Sequence, residues 1–172
     1  MMKPFAVLPA GVTFLAVAAA FAATVGVSHA RGPADMISSP ADIGMTLPGT
    51  MAKSIGEERI LDTTDGHGNQ VIVARTTRAA GTRTPLHLHE HGGTTCVLEG
   101  EMTLYLENAQ PQRAVAGQCY YMPAGKAMAG VNTGAVDAVM LDTFTVPLGL
   151  PVWTVVEASG KNMQDQFDTH KH

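Results

Sequence analysis

The chain has 172 residues, a formal net charge of -4 and 45 % hydrophobic residues against 15 % charged ones. Its length allows one domain, and this balance excludes an intrinsically disordered chain. No dense Lys/Arg run occurs, which removes the electrostatic footprint of a nucleic-acid binder and of a basic membrane-surface patch.

Met1-Met2-Lys3 gives a weakly positive start, and no charge follows from Phe5 to Val27. Ser28-His29-Ala30 is a small-x-small pattern of the kind signal peptidase cuts, and Arg31 follows it. Residues 1–30 are therefore expected to be a secretory signal peptide, leaving an exported protein, periplasmic or secreted, with no membrane attachment after cleavage. An uncleaved anchor is the alternative, because the apolar run is long enough to span a bilayer. Pro9 and Gly11 interrupt that run, and no cysteine stands after the cut as a lipoprotein would need. Residues 31–54 carry Pro33, Pro40 and Pro48 among Ser and Gly, and read as an extended arm or linker without stable structure of its own.

Residues 55–157 read as β-structure. Arg59–Asp62 and Gln70–Arg78 flank the turn-rich Asp65-Gly66-His67-Gly68-Asn69 and predict a hairpin. Asp62 and Asp65 are expected as solvated turn residues. Strands follow at Thr94–Glu99, Glu101–Glu107, Arg113–Val115, Gln118–Met122, Lys126–Val131 and Ala135–Val146, the last of them long and central. Val152–Val156 is a final strand or a segment lying across the barrel. Residues 158–172 form a polar tail, with a short helix around Asn162–Phe167. Short strands at 8–12-residue intervals, glycine or proline turns and no amphipathic helical run predict an all-β sandwich or barrel.

Between the second and third of these strands lies Gly81-Thr-Arg-Thr-Pro-Leu-His87-Leu-His89-Glu90-His91-Gly92-Gly93. A strand puts residues i, i+2 and i+4 on one face, so His87 and His89 aim at one volume. His91 joins them if the strand continues, whereas the following glycines favour a turn. A lone strand histidine is more often a hydrogen-bonded or surface residue. Three at period two point to a bound metal, because neutral imidazole offers a free lone pair near pH 7. Cys96 and Cys119 fall on different strands; export permits a disulfide between them, and two buried thiols are the alternative. Tyr105, Tyr120, Tyr121 and Trp153 are expected in the core or the wall of a cavity. There is no nucleophile-elbow serine, phosphate-cradling glycine loop or Cys-x-x-Cys pair.

These residues resemble a single-domain cupin, a double-stranded β-helix or jelly-roll barrel. The first motif of that family is G-x5-H-x-H-x3-4-E-x6-G, matched by Gly81, His87, His89 and Gly100. The second is G-x5-P-x-G-x2-H-x3-N, matched by Gly117, Pro123, Gly125 and Asn132. The resemblance covers residues 55–146. It implies a metal held by three histidines and a carboxylate, and a homodimer joined by an edge strand or the N-terminal arm. Two positions depart: Gly93 stands for the glutamate and Met128 for the third histidine. His91 could swing into the space that Gly93 leaves, and Met128 could supply a thioether. The metal set would then be His87, His89, His91 and Met128, softer than usual, with Cu, Fe or Zn as the divalent transition metal in place of Mg, Ca or Mn. Glu90 is a further oxygen donor, out of phase. Alternatively, Met128 fills apolar space, His91 sits in water, and two histidines make a weak site. Two functions follow: a metal-dependent oxidoreductase of the dioxygenase kind acting on a small organic substrate, or a non-catalytic cupin binding a small ligand or a metal.

Overall fold

The computed structural model describes residues 36–166. The expected signal peptide at residues 1–30, Phe167 and the tail histidines His170 and His172 lie outside the described residues. Twelve strands run in chain order: β1 Thr50–Met51, β2 Gly56–Thr64, β3 Asn69–Arg78, β4 Thr82–Arg83, β5 His87–Leu88, β6 Gly93–Glu99, then β7 Glu101–Leu106, β8 Gln112–Val115, β9 Cys119–Met122, β10 Met128–Val131, β11 Ala138–Pro147 and β12 Thr154–Val155. Two 3-10 helices, Pro40–Ile43 and Ala158–Gln166, flank them.

The strands form two facing sheets. One has five strands in the order β2-β3-β11-β6-β9; the other has seven, built on β1-β4-β10-β5-β12, with β7 paired to β10 and β8 paired to β7. This is the double-stranded β-helix that the sequence predicts. The expected β2–β3 hairpin forms, with Asp65 accepting the backbone N–H of His67 and of Asn69 across the turn. β11 is central, pairing β3 over ten residues and β6 on its other edge. Alternation explains why. In β3 and β11, Ile72, Ala74, Met140, Phe144 and Val146 all point inward and are buried, so the two strands share one apolar face. The inner cluster they make with Val97, Met102, Leu104 and Met128 fills the barrel.

The described part of the N-terminal arm, from Met36, packs on the barrel. Ile37 bridges to Glu157, and Ile37 and Met45 are buried against Leu86, Leu88, Ala127, Ala129 and Val156. That apolar cluster lies on the outer face of the seven-stranded sheet. Residues expected to be an unstructured linker thus cover their own barrel, because Ile37, Ile43, Met45 and Leu47 supply the apolar surface that the outward side chains of β5 and β10 need. The C-terminal segment is tied down by a buried ion pair: Arg83 meets Glu157 through two bonds of 2.8 and 2.9 Å, and Glu157 also accepts the Leu86 N–H. Gly100 connects β6 to β7 at φ 75, and a Cβ there would lie 2.8 Å from the Asp137 carbonyl oxygen, so only glycine fits.

Cys96 and Cys119 sit directly opposite each other on β6 and β9 and form a disulfide. The bridge lies on the outward side of the sheet and ties down edge strand β9, whose Tyr120 and Met122 point inward. Native protein is expected to show no titratable thiol before reduction. The double substitution Cys96→Ser/Cys119→Ser is expected to cost about 3 kcal/mol of stability in denaturant unfolding, the scale for a loop of this length; two reactive thiols in native protein would contradict the pairing.

A candidate ligand site in the barrel

His87 on β5 and His89 just past its end face inward, and the alternating Leu86 and Leu88 face outward and pack under the arm. His87 is 4 % and His89 2 % exposed. Each ring is held by a backbone carbonyl: His87 Nδ1 is 2.9 Å from Pro85 O, and His89 Nδ1 is 2.8 Å from Val152 O. A carbonyl oxygen only accepts, so each Nδ1 carries the proton and donates it. The Nε2 lone pair is then what each ring offers to a ligand. The ring centroids are 4.9 Å apart and nearly perpendicular. Trp153 packs edge-on against His87, and Phe144 stacks on His89. Burial holds His87 well below the usual imidazole range, with His89 and Arg78 pushing the same way and the Pro85 carbonyl opposing. Burial likewise lowers His89 to about 4, against the Val152 carbonyl. Both rings are neutral at pH 7.

They line a cavity of about 50 Å³ between the sheets. Its apolar walls include Met102, Leu104, Met122, Phe144 and Trp153. The five-stranded sheet contributes a polar group opposite: Arg78, Thr76, Thr95, Tyr120 and Asp142. Asp142 accepts the hydroxyls of Thr76 and Thr95, one on each oxygen, both at 2.6 Å. Burial raises its carboxyl, while the two hydroxyls and Arg78 pull it down. Burial, with Asp142 adding, raises the Tyr120 phenol, which stays protonated at neutral pH. Glu57, paired with Thr76 across β2 and β3, is pushed up to about 7, chiefly by burial, with Arg59 opposing and Asp142 adding.

Of the four expected metal ligands, the structure brings His87 and His89 together at the cavity. His91 is exposed on a turn. The strand ends at Leu88, and Gly92, at φ 73, turns its N–H back to the His89 carbonyl. The space at Gly93 is closed as well. A Cβ there would lie 2.6 Å from the Phe144 ring, so the aromatic side chain, and not an imidazole, takes the place of the family carboxylate. Met128 is fully buried in register with His87, but it belongs to the inner apolar cluster and does not line the cavity. Glu90 shares the turn with His91 and is exposed. Among the described residues no three His, Cys, Asp or Glu side chains are grouped to hold a metal. The residues present therefore do not fit a centre of three histidines and a carboxylate.

Arg78, Thr76 and Asp142 are not legible from motif matching. Their signal is phase: each is polar at an inward position of a strand that also turns apolar residues inward. Of the aromatics, Tyr120 and Trp153 reach the cavity and Tyr121 is exposed.

A family model described as "Cupin domain" matches residues 74–144, the stretch that holds both motifs. No curated protein matches the chain. Among solved structures, it is similar to a DMSP lyase from Ruegeria pomeroyi, at 17% identity over 59% of this chain and 51% of that one, with a TM-score of 0.49. An oxalate oxidase shares 22% identity over 50% of this chain and 46% of its own, with a TM-score of 0.44. A cupin family protein with a double-stranded β-helix fold from Methanocaldococcus jannaschii shares 21% identity over 60% and 91%, with a TM-score of 0.46. The chain spans about half the length of the lyase and the oxidase.

Two outcomes follow from this geometry. Gly93→Glu is expected to lower stability by about 1–3 kcal/mol through overpacking against Phe144 and to gain no affinity for Mn or Fe. A stable, metal-binding variant would mean that the carboxylate space is open. The second concerns pH. His89 has a folded value near 4, below its unfolded value of 6.5, so the unfolded chain binds its proton first. Its contribution is present above pH 6.5 and lost as pH falls toward 4. Glu57 slopes the other way in that window, so the reading is a difference. Chelator-treated native protein should lose about 3 kcal/mol relative to His89→Asn between pH 6.5 and 4. Parallel stability curves would place a charged or solvated ring at this position.

Proposed function

Taking the cupin barrel around residues 74–144 as the premise, we propose that this protein is an exported, non-catalytic cupin that holds a small organic ligand in its cavity, with His87 and His89 as uncharged hydrogen-bond acceptors. The observation that carries this reading is the closure of the third and fourth ligand positions. Phe144 occupies the space beside Gly93, Met128 packs in the apolar cluster, and His91 faces solvent. Two imidazoles alone hold a transition metal weakly. The Cys96–Cys119 bridge supports an oxidising compartment and with it the exported reading.

A metal-dependent oxidoreductase keeps one supporting observation. Committing each Nδ1–H to a carbonyl is also how metal-ligating histidines are oriented. Elemental analysis separates the two. Purified mature protein, dialysed against a chelator, is expected to hold Cu, Fe and Zn at far less than one per chain, with stability unchanged by the dialysis. One equivalent retained, and lost in both His87→Ala and His89→Ala, would establish the metal centre instead.

A further inference from the structure

The barrel buries two arginines, and they are treated differently. Arg83 is matched by the carboxylate of Glu157 in a two-bond pair. Arg78 is 3 % exposed and lines the cavity, yet no carboxylate lies within salt-bridge distance of it among the described residues. Its guanidinium makes one hydrogen bond among those residues, Nη1 to the Ala52 carbonyl at 2.9 Å. Asp142 shares the cavity, but its oxygens accept the Thr76 and Thr95 hydroxyls and make no bond to Arg78. Burial accordingly pushes the guanidinium below its usual value, with Tyr120 and Asp142 only opposing. A buried charge without a bonded counter-ion is costly, and a ligand that brought an anion to Arg78 would offset that cost. Guanidinium presents five donors in a planar fork that matches a carboxylate, and it accepts nothing. Across the cavity, His87 and His89 present lone pairs, which call for a donor on the ligand.

We infer that the cavity is a site for a small hydroxycarboxylate, with its carboxylate on Arg78 and its hydroxyl donating to His87 or His89. The inference rests on the ligand-binding reading above and names the class of ligand. Size agrees: about 50 Å³ accommodates roughly four water-sized groups, which suits a molecule of the scale of glycolate or lactate. Tyr120, protonated and lining the same cavity, adds a donor on the carboxylate side.

The test compares lactate with lactamide, its neutral counterpart of nearly equal shape, by calorimetric titration and thermal shift on disulfide-intact protein at pH 7. Lactate is expected to bind at least about tenfold more tightly than lactamide, the difference a charge-assisted pair confers. Arg78→Gln should erase that preference, and Arg78→Lys should keep part of it. The native-protein comparison stands even if Arg78→Gln fails to fold. Equal binding of the two compounds, abolished by His87→Ala, would overturn the carboxylate assignment and leave the ligand-binding reading intact. Failure of lactate, glycolate and acetate to bind at millimolar concentration would also overturn the assignment. Retention of one metal per chain after chelation is the separate result that removes the ligand-binding reading itself.

Discussion

Two hydrogen bonds organise this barrel: His87 to the Pro85 carbonyl and His89 to the Val152 carbonyl. Each spends the one proton of a neutral imidazole on the backbone. Each also fixes the ring and leaves a lone pair for the cavity, in surroundings dry enough that the charged form is disfavoured. The second bond depends on the C-terminal segment, which lies across the barrel and puts Trp153 beside His87. That segment is held in turn by Gln164, which bonds both the Trp153 carbonyl and the Val155 N–H, and by the Arg83–Glu157 pair. The order of the site is thus supplied by contacts far from it in sequence.

The same packing explains why the residues around the two motif histidines do not fit a centre of three histidines and a carboxylate. A glutamate at position 93 would project where the Phe144 ring lies. That ring comes from β11, stacks on His89 and belongs to the inner core, so apolar packing occupies the space beside Gly93. The polar groups of the cavity stand on the same sheet as Phe144, where β3 and β6 supply the threonines that bond Asp142 of β11. The cavity is lopsided as a result, with uncharged acceptors on one sheet and a cation and carboxylate on the other.

Much of the fold is legible in the sequence. Glycine and proline turns delimit strands to within a few residues, and the apolar alternation of residues 138–147 marks a central strand. The pairing of Cys96 with Cys119 is not legible, because register between β6 and β9 depends on the whole topology. The arm was unreadable for a similar reason: Ile37 and Met45 look like isolated apolar residues among prolines until the outer face of the other sheet is known. At the site, period two identifies His87 and His89, whereas the fate of His91 turns on where a strand of two residues stops. Arg78 and Asp142 carry a phase signal but match no motif, and only the closed barrel shows that they share a cavity.

The central claim is that both buried imidazoles are neutral and protonated at Nδ1. Long-range proton–nitrogen correlation spectra of nitrogen-15-labelled histidines in the chelator-treated protein measure this directly. At pH 6, two rings should show a protonated Nδ1 and a bare Nε2. Two imidazolium rings at that pH, or a proton on Nε2 of either buried ring, would contradict the account.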